Sequence, residues 1–322
     1  MDEYRQTLVT APPSPSVAAP VSSPVRLDEL FARWVAYLDV RPKSVETYVC
    51  AVRQFLRWLH KHGKTTNPGR EDVLAYRQFL AETKKPATVQ IYIIALRLFF
   101  QWLAAEGAYN NIAEHIKGAK IERYHKKDYL TIEQVKNVLD RIEPHTERDR
   151  RDYASLLLMI TGGLRDIEVS RANIGDIDAA GGNSVLYLRG KGQDERADYV
   201  MLTEPVITAI NRYLQDRGET KPTAPLFISV SRSSRGSRLT TRSISRIAKQ
   251  RLRDAGYDSD RLTAHSFRHS AITFALLGGL SLQETQQFAR HTNISSTLIY
   301  AHNLERAGNR GAEVITGAIF AS

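Results

Sequence analysis

Six side chains in the second half of the sequence have the types and placing that a phosphodiester demands: Arg165, Lys191, His265, Arg268, His291 and Tyr300. A guanidinium is a planar fork of donors that matches two oxygens of one phosphate. A lysine beside other cations loses its proton more readily, so it can hand that proton to a leaving oxygen. A tyrosine hydroxyl attacking phosphorus gives a covalent intermediate. Each of the six stands at a local landmark. Arg165 follows the Gly162-Gly163 break, and Lys191 occupies the tip of a turn over residues 190–194. His265 and Arg268 are three apart near a helix start and share a face. His291 and Tyr300 close a helical hairpin near the C-terminus. No carboxylate cluster stands out, and His60, His62, His115, His125 and His145 have no metal-ligand spacing. No metal and no other cofactor is expected.

The elements that must position these residues follow from periodicity. Thr131, with Glu133 and Gln134 behind it, caps a helix through Ile142. Residues 154–161 read as a buried helix and 164–171 as a second helical segment. The period then changes, and 185–188 and 197–202 read as strands. Helices follow over 205–217, 241–255, 264–277, 281–290 and 295–302, with a tail from Arg310. The region is α+β with a small antiparallel sheet.

The first part of the chain is purely helical. Leu27, Leu30, Phe31, Trp34, Val35 and Leu38 recur at spacings of three and four. A second helix opens at Pro42 and ends at Gly63, a third spans about 71–82, and a fourth opens at Pro86 and ends near Gly107. Helices two and four match at a constant offset of 44: Pro42/Pro86, Val45/Val89, Tyr48/Tyr92, Ala51/Ala95, Arg53/Arg97, Phe55/Phe99, Trp58/Trp102 and Leu59/Leu103. That pattern predicts two pseudo-symmetric helix hairpins. Lys43, Ser44, Thr47, Arg53, Thr88, Gln90 and Arg97 on these helices are candidate DNA contacts, because helix N-termini and short hydroxyl side chains hold phosphates.

The expected organisation is a disordered Pro/Ala/Ser-rich tail over 1–24, a helical domain over 25–116, a basic linker over 117–128 and an α+β domain over 129–322. The 322 residues carry 45 Lys and Arg against 35 Asp and Glu, a net charge of +10. Residues 25–124 hold 16 basic and 10 acidic side chains and residues 125–322 hold 28 and 23, so both parts are basic. That balance points to a polyanionic partner. With 42% hydrophobic residues, global disorder is excluded. No run reaches the roughly 18 apolar residues of a membrane span, so no membrane role is expected. The single cysteine, Cys50, excludes an intramolecular disulfide and a Cys-based zinc finger. These features lead us to expect a cytoplasmic, nucleoid-associated protein.

The sequence resembles the tyrosine recombinases, or phage integrase family, of the simple two-domain, Xer-like type. The resemblance is carried by Thr161-Gly162-Gly163-Leu164-Arg165-Asp166-Ile167-Glu168, Gly190-Lys191-Gly192, His265-Ser266-Phe267-Arg268-His269, and His291 through Tyr300-Ala301-His302. It implies a core-binding, SAM-like four-helix domain followed by a catalytic domain. It also implies that Tyr300 forms a 3′-phosphotyrosyl bond, that Arg165 and Arg268 clamp the scissile phosphate, and that Lys191 protonates the leaving 5′-oxygen. His265 would assist proton transfer, His291 would donate to the phosphate, and Glu168 would orient the site. The implied partners are double-stranded DNA with an inverted-repeat site and three further copies of the chain, docked through the segment from Arg310 to Phe320. Accessory DNA-bending or directionality proteins are further implied partners, and the outcome would be integration or excision of a mobile element, or dimer resolution. No arm-binding segment is expected before Arg26. The alternatives are a type IB topoisomerase, which the four-helix domain argues against, and a non-catalytic DNA-binding protein, which the complete residue set argues against.

One position departs from the family pattern. Ala289-Arg290-His291 stands where the family usually has Leu-Gly-His, so an arginine occupies a helix end suited to glycine and adds a cation near the phosphate site. Asp166 is expected to pair with a neighbouring arginine. His269 and His302 are expected to pack or hydrogen-bond structurally.

Overall fold

The computed structural model describes residues 27–120, 128–189 and 196–307. The chain divides into two compact units, Met1–Glu122 and Arg123–Ser322. It is mainly helical, with one three-stranded antiparallel sheet. The tail over 1–24, the hairpin tip with Lys191 and the segment from Arg310 to Phe320 lie outside the described residues.

The first unit is built from α1 (Leu27–Tyr37), α2 (Pro42–Lys61), α3 (Arg70–Thr83) and α4 (Pro86–Ala105). Both α2 and α4 are 20 residues long with proline in the first helical turn, where the missing N–H costs nothing. Gly63 and Gly107 follow them at positive φ, as helix-ending residues. The matched residues Ala51/Ala95, Phe55/Phe99 and Leu59/Leu103 are all buried. Trp34, Phe55, Tyr76, Phe99 and Phe100 form the centre of this core, with Trp34 and Phe99 edge to face at 5.2 Å. Against the sequence expectation, α4 is long and apolar enough to cross a membrane by length and composition. Half of that stretch is buried, and α4 is the central core helix of this unit. Arg77 donates to the Lys117 carbonyl and Ala119 packs on the same core, so the start of the expected linker belongs to this unit's packing.

The described part of the second unit opens at Asp128, which accepts Nε and one terminal nitrogen of Arg261. Thr131 and Gln134 form the reciprocal cap predicted for α5 (Ile132–Asp140). The long α6 (Glu147–Gly162) begins well before the predicted residue 154. Its first two turns are charged, and tertiary pairing keeps them helical. Asp152 accepts from Arg151 and Arg251, and Asp149 also accepts from Arg251. Gly163 ends α6 in the left-handed conformation, φ 56°. After α7 (Asp166–Arg171) come β1 (Ile177–Ala180), β2 (Asn183–Arg189) and β3 (Arg196–Met201), in the order β1-β2-β3. The sequence reading missed β1. Five helices complete the unit: α8 (Glu204–Arg217), α9 (Thr241–Asp254), α10 (Ala264–Leu277), α11 (Leu282–Ala289) and α12 (Ser295–Ala307). α10 has the predicted bounds, and α12 runs five residues past the predicted end.

Candidate active site

The site of the second unit is assembled where helices end. The last residues of α6 and α11 present backbone carbonyls that no helical N–H satisfies. Arg268, buried on α10, joins these two ends by donating to the Gly163 and Ala289 carbonyls. Guanidiniums at helix C-termini also meet the negative end of the helix dipole, each worth roughly 0.3–2 kcal/mol.

Arg165 is the N-cap residue of α7. Glu168, buried one turn on, accepts the Arg165 backbone N–H at 2.7 Å through Oε2 and its guanidinium at 2.7 Å through Oε1. The second arm of Arg165 donates to the Arg290 carbonyl at 3.2 Å. Arg165 retains 37% side-chain exposure, so part of its fork still faces solvent. Burial works to raise the Glu168 carboxyl. Arg290, the Arg165 backbone N–H and the charges of Arg165 and Arg268 outweigh it and hold Glu168 below its ordinary value.

Arg290 caps α11 at φ 52° and ψ 47°. For a residue with a Cβ this left-handed conformation costs roughly 1–2 kcal/mol. Its side chain turns inward, donating to the carbonyls of Gly162 at 3.2 Å, Phe288 at 2.8 Å and Gly163 at 2.9 Å, and to Glu168 Oε2 at 3.2 Å. The predicted extra cation is therefore part of the site. Asp166 departs from expectation: it accepts from the Ser245 hydroxyl rather than from an arginine.

Three histidines and Tyr300 form a run of rings. His265 and His269, one turn apart on α10, stand edge to face at 4.7 Å. His269 lies 5.2 Å from Tyr300, and Tyr300 lies 6.2 Å from His291, centroid to centroid. His269 was expected to pack, and it does, but against the candidate nucleophile. Withdrawal from water and the Arg268 guanidinium push His265 below the usual histidine value, with Asp166 pulling the other way. A neutral His265 can accept a proton near pH 7. His291 Nδ1 lies 2.9 Å from the Thr297 hydroxyl, which fixes the ring, a partner that motif spacing does not reveal. Tyr300 is buried beside Ile272 and Ala289. Burial pushes its hydroxyl up to about 12, while Arg268 and Arg165 draw it down.

Thus Arg165, Glu168, His265, Arg268, His291 and Tyr300 lie on four helices and their caps in one unit, while Lys191 lies outside the described residues. The candidate DNA contacts sit in the other unit. Lys43, Ser44 and Thr47 are in the first turns of α2, where Lys43 pairs with Glu46 at 2.6 Å and Thr47 bonds back to the Lys43 carbonyl. Arg53 is exposed, with its guanidinium 5.9 Å from the Phe31 ring. Thr88 and Gln90 are half-buried at the start of α4, with Arg97 two turns beyond. Gln90 packs against Gly118, where a Cβ would lie 1.9 Å from its Oε1.

Residues 128–306 match the sequence profile of the Phage integrase family, and residues 31–107 match that of the Phage integrase N-terminal SAM-like domain. Tyrosine recombinase XerA of Pyrococcus furiosus is 30% identical over 274 residues, which span 84% of this chain and 88% of the relative. Tyrosine recombinase XerC of Pelobacter propionicus is 33% identical over 174 residues, 54% of this chain and 55% of that relative. Among solved structures, XerH recombinase bound to palindromic difH substrate has a TM-score of 0.66 at 20% identity, covering 82% of this chain and 78% of that one. A lambda integrase tetramer bound to a Holliday junction has a TM-score of 0.67 at 16% identity, covering 86% and 78%. These two likenesses bear on the fold.

Proposed function

The chain belongs to the phage integrase family, and from that premise we propose that it is a site-specific DNA recombinase that cuts and rejoins strands through Tyr300. The observation that carries the reading is the gathering of Arg165, Arg268, His291 and Tyr300 around two facing helix ends. In the proposed step the Tyr300 oxygen attacks phosphorus, a P–O(Tyr) bond forms and the P–O5′ bond breaks. The phenolic proton leaves towards His265, and Lys191 protonates the departing 5′-oxygen. Arg165, Arg268 and His291 stabilise the charge on the non-bridging oxygens. The catalytic demand is charge neutralisation and an in-line nucleophile. The phosphotyrosyl ester conserves the bond energy, so religation by the reverse attack needs no ATP.

The first unit holds DNA through the exposed faces of α2 and α4, with Lys43, Ser44, Thr47, Arg53, Thr88, Gln90 and Arg97 as candidate contacts. Two basic units on one chain suit a duplex gripped from both. The protein acts as a homotetramer on paired inverted-repeat sites, docked through the segment from Arg310 to Phe320, and exchanges strands through a Holliday junction. The outcome is integration or excision of a mobile element, or dimer resolution, in the cytoplasm. The test is a nicked suicide duplex chosen from a random-sequence pool by retention on this protein. The native chain is expected to form a covalent adduct and Tyr300→Phe to form none. An adduct that persists in Tyr300→Phe overturns the assignment.

A further inference from the structure

We propose that Arg290 is a positioning residue for the cleavage reaction, a third guanidinium that shares the Glu168 charge and so leaves the Arg165 charge incompletely compensated and able to meet the phosphate. The inference rests on the reading of Arg165 and Arg268 as the phosphate clamp.

Arg290 holds both members of the Arg165–Glu168 pair. Its carbonyl receives one arm of Arg165 at 3.2 Å, and its guanidinium donates to Glu168 Oε2 at 3.2 Å. Its other contacts are the carbonyls of Gly162, Gly163 and Phe288, which fix it without adding negative charge. Its side chain is only 8% exposed, so it is built into the site rather than resting on it. Arg290 Nε is buried with no hydrogen-bond partner among the described residues, so the group is held by its two terminal nitrogens.

The backbone gives a second argument. Position 290 is left-handed, the conformation that glycine takes at least cost, and Gly163 takes it at the facing end of α6. An arginine there carries steric cost that capping alone does not require. The side chain must supply the compensation, and its contacts go to Glu168 and the α6 terminus.

The electrostatic consequence follows from counting. A lone Arg165–Glu168 pair is neutral, and a carboxylate with two hydrogen bonds from Arg165 cancels much of the field that a phosphate would feel. With Arg290 on the same carboxylate, the group of Arg165, Glu168 and Arg290 carries one net positive charge. Arg268 adds another. Two other carboxylates act nearby from a distance, Asp198 on Arg290 and Asp166 on His265. Asp166 is engaged by Ser245, and Asp198 lies exposed on β3. The Arg290 charge is also the largest single influence lowering the Glu168 carboxyl, with the Arg165 backbone N–H and the Arg165 charge each following it.

The experiment compares the full chain with Arg290→Gly, Arg290→Gln and Arg290→Lys on the pool-selected suicide duplex. Arg290→Gly is expected to form adduct about tenfold more slowly or worse, with DNA affinity within about twofold of native. Arg290→Lys should recover most of the rate. The distinguishing readout is a duplex whose scissile phosphate is replaced by an uncharged methylphosphonate. The penalty for losing Arg290 should then shrink to about twofold or less, because little charge remains for Arg165 to meet. A purely structural role would give the same loss on both duplexes and overturns the proposal, as does a native rate in Arg290→Gly. If Arg290→Gly does not fold, Arg290→Gln carries the same comparison with the side chain's bulk retained. Absence of any adduct with the native chain sinks the recombinase reading and this inference with it. A native adduct with an indifferent Arg290→Gly sinks this inference alone.

Discussion

The two ends of α6 use the same residue types for opposite purposes. At its N-terminal end, buried Arg151 and half-buried Arg251 meet Asp149 and Asp152, with Asp254 3.7 Å from Arg251 at the rim. Arg151 and Arg251 each face at least one carboxylate. At its C-terminal end Arg165 and Arg290 share the carboxylate of Glu168, while Arg268 donates only to backbone carbonyls among the described residues. The first arrangement is electrically closed and holds α6 to α9. The second leaves an excess of fixed positive charge in a partly dry place. Such an excess is unfavourable for folding alone and favourable for an anion that arrives later. The contrast, more than the number of arginines, separates scaffold from site.

The sharpest way to break this contrast is Asp152→Ala. It strips a carboxylate from two guanidiniums and is expected to cost about 3–5 kcal/mol, read from urea unfolding. A loss below about 1 kcal/mol would mean that the N-terminal network is not a structural lock. A second prediction uses acid. Glu168 and Asp149 both sit below their ordinary values of 4.5 and 3.8, so each adds stability that is complete above those values. That contribution is lost as pH falls through the lower folded values. Glu168→Gln should therefore be less stable than native at pH 7, with the gap narrowing from about pH 4.5 downward. Asp149→Asn should show its narrowing only at lower pH. A Glu168→Gln gap that does not change with pH would remove Glu168 from the charged network. The smallest effect concerns anions. Sulfate at about 50 mM should raise the native melting temperature by a few degrees over chloride at matched ionic strength. Arg165→Ala should lose this rise and Asp152→Asn should keep it. An equal rise in Arg165→Ala would place the anion elsewhere.

Much of the fold was legible because it depends on local chemistry. Prolines at the starts of α2 and α4, the Thr131 cap, and glycines after α2, α4 and α6 all act within one turn of chain. α10 was legible because the apolar Phe267, Ala271, Ile272 and Phe274 follow directly on its start. What escaped depends on partners far along the chain. The first two turns of α6 are charged, and distant partners, Arg251 about a hundred residues later with Asp216 and Arg235, help to show why they are helical. β1 is four residues long and takes its identity from pairing with β2. In the site, motif spacing brought out the arginines, histidines and tyrosine. It did not show that Thr297 fixes His291, that His269 lies against Tyr300, or that Arg290 turns inward to Glu168. Those are facts of side-chain direction, which spacing does not encode.

The depth at which Tyr300 is held has a consequence for timing. With its hydroxyl raised to about 12, only about one molecule in 10⁵ carries the phenolate at pH 7. A protein that scans DNA meets a great many phosphates it must leave intact. As the nucleophile proposed above, Tyr300 stored as a neutral phenol between two imidazole rings is harmless during that search. It becomes dangerous to a strand only when a correctly seated phosphate and a proton acceptor are present together. On that proposal the barrier to accidental nicking is set by the packing around one ring, before any specificity for base sequence comes into play.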